Sequence, residues 1–533
     1  MNCVSQKSKT DALDSPSNAS VWIPDNEDGS YTNPVIYADY SDPDVIRVGD
    51  DFFLTASSFN CVPGLPILQS SDLVNWRIVA HALQQLSPKE IFNKSQHGNG
   101  VWAPSIRIHN DEFYIYYGDP DYGIYLVKAK HAEGPWSDPI LICAAKGWID
   151  PCPFWDDNGT AYLVHAFANS RAGIKSILTL HEMNYEGTKL LDSGTVIFDG
   201  HKNQPTIEGS KIYKRNGYYY IFAPAGGVKQ GWQAVLRSKN IYGPYEDKIV
   251  MDQGTTQING PHQGAWVELR SGESWFVHFQ DKGAYGRVVH LQPMKWENDY
   301  PIIGIDPDGD GRGEPVDKFK KPDVGESFSL TAPKTSDEFD SHKLGEQWQW
   351  QANPGSTWSS LFANPGYIRL FVISECNDKM NLWNSPNLLL QKFPAPQFKI
   401  TTKLKCNLNR DGEKAGLVVM GTDYSYISIR RENGILILSQ SVCSNADREG
   451  TEIESNQIAL SGTTIYLRVA VADEAICKFS YSADNIKFTD IENAFPAKPG
   501  KWIGAKVGLF CIGNNSVRGT GFVDVDWFHV QKF

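Results

Sequence analysis

The sequence lacks the signals that would place it in a membrane, on nucleic acid or around a metal cluster. Across 533 residues no apolar run approaches the roughly 18 residues that a membrane-spanning helix requires, and no charged-then-apolar segment of the secretory type opens the chain. Basic residues are in deficit: 50 Lys and Arg against 62 Asp and Glu leave a formal charge of −12. That balance disfavours nucleic acid or an anionic bilayer as the main partner. The nine cysteines (Cys3, Cys61, Cys143, Cys152, Cys376, Cys406, Cys443, Cys477 and Cys511) are odd in number and scattered, with no CxxC pair. They form neither a disulfide framework nor a zinc site, and most read as small buried hydrophobes.

What the chain does have is aromatic residues, 12% of the total and including 16 Trp. In strands that enrichment reflects β-propensity, and Trp and Tyr also supply flat faces on which a sugar ring can stack. Residues 1–30 are polar and rich in Ser, Asn and Asp, and read as a flexible leader. Beyond them a unit recurs at intervals of about 50 to 60 residues: a short apolar strand, a turn with Gly, Asn or Asp, then an aromatic strand. Its aromatic strands contain Phe53, Tyr114, Tyr162, Tyr220 and Phe276 at equivalent places. The interval leaves room for four strands and a loop per unit, so a five-bladed β-propeller is expected over 31–320.

Segment 321–335, with its Pro and Lys residues, reads as a linker. From 336 to 533 the strands lengthen and alternate, as in 398–404, 465–470 and 522–528, which predicts a β-sandwich. The fold class is therefore all-β, a propeller followed by a sandwich. Asp306-Pro307-Asp308-Gly309-Asp310-Gly311 imitates the start of a calcium-binding EF-hand loop, but without flanking helices it reads as a turn.

In a propeller the residue just before each unit's first strand faces the central cavity. Those residues are Asp42, Trp102 with Ala103, Asp150, Glu208 and His262. Three carboxylates thus converge from distant parts of the chain, and clustered carboxylates perturb one another's proton affinity in the way general acid–base catalysis needs. Two of them are able to flank a glycosidic bond, one protonating the leaving oxygen while the other attacks or activates water. The blander alternatives are that Asp42-Pro43 and Asp150-Pro151 are turn devices and that His262 is a satisfied core histidine. Glu208 has no such excuse, because Glu forms turns poorly.

Read together, these stretches resemble glycoside hydrolase family 43, inverting five-bladed propeller enzymes that remove arabinofuranosyl or xylosyl units. The likeness rests on Ser41-Asp42-Pro43-Asp44-Val45-Ile46-Arg47, Ser71-Asp72-Leu73-Val74-Asn75-Trp76, Val101-Trp102-Ala103-Pro104, Trp148-Ile149-Asp150-Pro151, Ile207-Glu208-Gly209-Ser210, Pro261-His262-Gln263-Gly264 and the stretch from His278 to Arg287. It implies Asp42 as general base, Glu208 as general acid and Asp150 as the carboxylate that orients the acid and tunes its pKa. Arg287 resembles the arginine that contacts the glycon, Phe59 and Trp102 resemble pocket walls, and Trp232 is a further substrate-binding candidate. His262 resembles the axial histidine that holds a calcium or sodium ion in the propeller channel.

The tail is similar to the concanavalin-like sandwich some members carry, which packs on the propeller and lends a loop to the active-site rim. There Glu338, Asp340 and Asp526 are candidate ligands for a structural Ca²⁺; alternating acids on a strand face are the other reading. No cofactor is implied for catalysis. The resemblance leads to the expectation of an exo-acting α-L-arabinofuranosidase on plant polysaccharide or oligosaccharide side chains. The alternatives are a β-D-xylosidase, an enzyme with both activities, or a non-catalytic carbohydrate-binding propeller. Such substrates are met in a periplasm or outside the cell, which is the expected location, with Cys3 either a lipid-anchor site or an ordinary thiol.

Overall fold

A computed structural model describes residues 20–374, 381–491, 493–513 and 520–533. Cys3, Cys376 and most of the expected leader lie outside the described residues. Five consecutive four-stranded antiparallel sheets form the first body. Their innermost strands are Asp44–Val48, Trp102–His109, Trp148–Trp155, Lys211–Arg215 and His262–Glu268, and each blade then adds its next three strands outward in chain order. The hairpins pair as the repeat predicts, with Ile46 opposite Phe53, Arg107 opposite Tyr114 and Tyr213 opposite Tyr220.

Blades are covered on both faces, so their middle strands are nearly continuous apolar runs; in Tyr218–Ala225 every residue after the first two is buried. Each neighbouring pair of blades shares one apolar layer. Val45, Leu54 and Leu68 of blade 1 meet Ala265, Val277 and Val289 of blade 5, and Tyr220 and Phe222 of blade 4 meet Phe276 of blade 5. Full burial of such side chains contributes about 1.5–3 kcal/mol each.

Every blade is built from consecutive strands, so the ring is closed by the segment ahead of blade 1. Ser30–Thr32 pairs with Lys318–Lys320, and Asn33 then clips onto blade 5. Its side-chain amide donates to the carbonyls of Leu291 and Val316, both at 2.8 Å, while its carbonyl accepts from Leu291 N–H at 2.9 Å.

The second body is a sandwich of two sheets whose long strands include Phe398–Asn407, Lys506–Gly513 and Phe522–Gln531. It is docked on the propeller by main-chain and side-chain bonds. Val62 and Trp350 exchange backbone bonds of 3.0 and 2.6 Å, Asn353 caps Leu86 from both sides, and His97 stacks on Trp383 at 3.6 Å. The described cysteines are all free, and all but Cys143 are buried.

Asn33→Ala takes the side-chain partner from two buried main-chain groups, Leu291 N–H and Val316 C=O, each worth roughly 1–3 kcal/mol, while Leu291 C=O keeps the Tyr31 hydroxyl at 2.7 Å. Chemical denaturation of this variant is expected to show a stability loss on the order of 3 kcal/mol or more; a loss below about 1 kcal/mol would show that Asn33 does not hold the ring closed.

Candidate active site

Each inner strand is entered through one residue in the left-handed region. These are Asp42 (φ 55°), Ala103 (25°), Asp150 (58°), Gly209 (61°) and Gln263 (36°). The turn swings the chain from the blade rim onto the channel, and for non-glycine residues it costs on the order of 1–3 kcal/mol. Asp42 and Asp150 occupy the same place in blades 1 and 3. Glu208 does not: its blade puts Gly209 at that place, so the glutamate stands one residue earlier, in line with Ser41, Trp102, Ile149 and His262. The equivalence read from the sequence is off by one for Glu208 and for His262, because a spacing count from the outer aromatic does not register which residue takes the turn.

Asp42 is buried and held on both oxygens. Its Oδ2 accepts from the hydroxyls of Ser41 (2.7 Å) and Ser57 (2.6 Å), while Arg287 Nη1 lies 3.1 Å from Oδ1. Ser57 in turn accepts from Ala103 N–H at 2.7 Å, so its proton is committed to Asp42. Oδ2 thus meets two hydroxyls and, at 3.3 Å, Arg287 Nη1, while Oδ1 meets Arg287 Nη1 alone among the described side chains.

Asp150 is buried and its Oδ2 accepts from Gly209 N–H at 2.6 Å, next to the Glu208 backbone. Burial pushes its pKa well above the usual carboxylate range, and the charges of Glu208 and Asp42 push in the same direction; the Gly209 amide and the ammonium of Lys211 oppose them. Lys211 is itself buried, spanning to Pro104 O (2.9 Å) and Ser105 Oγ (2.7 Å) of blade 2. Glu208 is the most open of the three, its side chain 32% exposed and Oε1 3.3 Å from His262 Nε2.

Arg287 is stacked under Phe279 and Trp502, at 4.8 and 5.8 Å from guanidinium carbon to ring centroid. Trp502 comes from the sandwich, is 53% exposed, and also meets Trp102 edge-on at 6.0 Å. No local pattern marks Trp502 as a site residue; only its place in the fold does. The rim further holds Arg171, whose guanidinium lies 5.8 Å from the Trp102 ring and which bonds Asp121 and Asn99.

The other expected residues fall as follows. Phe59 is almost fully buried and backs Trp102 at 6.3 Å, so it supports the wall more than it forms one. Trp232 begins the third strand of blade 4 at the same end of the ring, with its indole N–H on Gln204 Oε1 at 2.7 Å and its ring against Gly226. His262 lies against Glu208, and its buried Nδ1 has no partner. Among the described residues no set of His, Cys, Asp or Glu ligands gathers around it, so these side chains do not make a cage for a hard cation that takes six or more oxygens.

The sandwich calcium set is not brought together either. Glu338 pairs with His529 at 2.7 Å and Asp526 with Lys403 at 2.9 Å, while Asp340 is exposed. Glu338 and Asp340 lie outside the strands, whereas Asp526 sits within Phe522–Gln531, and Glu338 and Asp526 face different basic neighbours. The acids that do cluster are Asp306, Asp308 and Asp310. They are engaged as turn acceptors, Asp306 taking Gly309 and Gly311 N–H and Asp310 taking Arg312 N–H.

A propeller whose mouth gathers three carboxylates beneath aromatic walls defines a class: enzymes that cleave glycosidic bonds by acid–base chemistry. The family model described as "Glycosyl hydrolases family 43" matches residues 31–301, and "Beta xylosidase C-terminal Concanavalin A-like domain" matches 336–531. The chain belongs to glycosyl hydrolase family 43. It is 33% identical over 557 residues to a beta-xylosidase of Formosa agariphila, covering 95% of this chain and 90% of that one. A non-reducing end alpha-L-arabinofuranosidase of Bacteroides ovatus is 27% identical over 532 residues, covering 94% of each. Among solved structures, a xylan beta-1,4-xylosidase from Bacillus halodurans superposes with a TM-score of 0.83 at 26% identity, over 94% of this chain and all of that one.

Two substitutions separate chemistry from stability. Glu208→Gln is expected to lower kcat by about 10² to 10⁴ while the thermal midpoint changes little. Asp150→Asn keeps an oxygen for Gly209 N–H but removes a buried charge. A carboxyl whose folded pKa is raised binds more protons folded than unfolded, so it costs stability as pH climbs above the unfolded value of 3.8. The variant should therefore melt higher than the parent at pH 7, match it near pH 3, and be impaired in turnover. An equal or lower midpoint at pH 7 would refute the raised Asp150.

Proposed function

We propose that this protein is an inverting, exo-acting β-D-xylosidase that releases terminal xylosyl units from plant-derived oligosaccharides. The observation that carries the chemistry is the convergence of Asp42, Asp150 and Glu208 at one end of the propeller channel. In this reading Glu208, the more open carboxyl, gives its proton to the leaving glycosidic oxygen. Asp42, through Oδ1, takes a proton from the water that attacks the anomeric carbon from the opposite face, and the positive charge that develops on the sugar is offset by the Asp42 carboxylate. Inversion requires the two carboxyls to stand roughly 6.5–9.5 Å apart, with room for that water.

Support for exo action comes from Trp502, which stands over Arg287 and beside Trp102 and so walls one side of the mouth. The choice of xylose is supported by the Formosa agariphila and Bacillus halodurans relatives and by the xylosidase description of the sandwich family. This reverses the order expected from sequence, where arabinofuranoside came first. The Bacteroides ovatus relative keeps α-L-arabinofuranosidase activity as a second reading, since the two glycons present similar hydroxyls.

Kinetics on para-nitrophenyl β-D-xyloside and α-L-arabinofuranoside test the preference: kcat/KM is expected to be about tenfold or more in favour of the xyloside, and the reverse ratio makes the second reading the correct one. Following xyloside cleavage by proton NMR, the first anomer to accumulate should be α-xylose. Initial β-xylose would mean retention and would exclude the water-activating role of Asp42.

A further inference from the structure

We infer that Asp39 is a positioning residue that couples the docked sandwich to the active site. It is 2% exposed and touches no reacting group. Its Oδ1 accepts from the backbone N–H of Arg287 at 2.8 Å, and its Oδ2 accepts from the backbone N–H of Gly504 at 3.0 Å. One carboxylate thus joins two domains through main-chain donors. Arg287 is the residue whose guanidinium holds Asp42, and Gly504 lies two residues after Trp502, the sandwich residue that stands over that guanidinium.

The junction is built for close approach. Gly286 has φ 75°, and a Cβ there would come within 2.5 Å of the Asp39 carboxylate carbon. Across from it, a Cβ on Gly504 would lie 2.7 Å from Gly286 N. The contact continues in Ala505 N–H donating to Ala284 O at 2.7 Å. Two glycines face to face let the loop bearing Trp502 pack directly on the chain entering Arg287, and Asp39 locks that register. Hydrogen bonds to an ionised acceptor are roughly twice as strong as neutral ones, and removing the acceptor leaves two buried N–H groups unpaired. The positively charged group on the same side is Lys392, whose ammonium stands over the Tyr40 ring and feels the Asp39 charge. Asp39 therefore sets where the arginine and the tryptophan wall stand with respect to each other, and the sandwich acts as part of the substrate pocket.

The inference rests on the glycosidase reading above. Its test is a double-mutant cycle on the full-length protein with Asp39→Asn and Trp502→Ala, read on whichever aryl glycoside the parent hydrolyses. Asp39→Asn retains one acceptor oxygen but turns an amide N–H towards the other donor. It is expected to lower kcat/KM at least tenfold, mainly through KM, with the cooperative unfolding transition intact. In the Trp502→Ala background the same change should cost at least threefold less, because the wall it positions is gone. A loss of less than tenfold in the parent, or a coupling below threefold, overturns the assignment. If Asp39→Asn fails to fold, Gly504→Ala pushes the loop off Gly286 without touching the carboxylate and takes its place in the cycle under the same thresholds. A parent inactive on both aryl glycosides would instead overturn the proposed function, and this inference with it.

Discussion

One left-handed residue at the start of each inner strand is the constraint on which the site depends. It turns the chain from the rim of the propeller onto its axis, and the identity of that residue and its predecessor decides what reaches the channel mouth. Blades 1 and 3 place an aspartate on the turn, and the following proline excludes the ordinary helical alternative for it. Blade 4 gives the turn to glycine and moves its carboxylate one position back. Asp42 and Glu208 therefore leave their blades from different points on the same backbone bend, so one repeated geometry presents two carboxylates in different surroundings.

Much of this was legible in the residues. The alternation of apolar strand, Gly or Asn turn and aromatic strand identified five blades, since each element is specified locally by propensity and pairing. The convergence of Asp42, Asp150 and Glu208 followed from the repeat alone. What was not legible depends on contacts that local pattern does not encode. The offset of Glu208 turns on a single φ angle, the contact of His262 with Glu208 on the packing of two neighbouring blades, and Trp502 on the docking of a separate domain. The acids Glu338, Asp340 and Asp526 looked like a ligand set because they are close in type, yet two of them pair with different basic partners, His529 and Lys403.

The site also shows a cost that the rest of the fold absorbs. Three carboxylates share a small, largely buried volume, and the proton affinity of Asp150 is raised by burial and by its neighbours' charges. Lys211, Arg287 and the serine hydroxyls offset part of that repulsion, and the apolar layers between blades supply the rigidity that keeps the groups from moving apart. The sandwich adds to this by packing on the same end of the ring, with Trp502 over Arg287.

The two bonds made by Asp39 join residues 248 and 465 positions apart. Closing such distances costs little more entropy than closing shorter ones, but it waits on the synthesis and folding of everything between. A nascent chain carries Asp42, Asp150 and Glu208, and all five blades around them, well before Trp502 and Gly504 are made. The tryptophan wall over Arg287 is thus added to a ring that is already built.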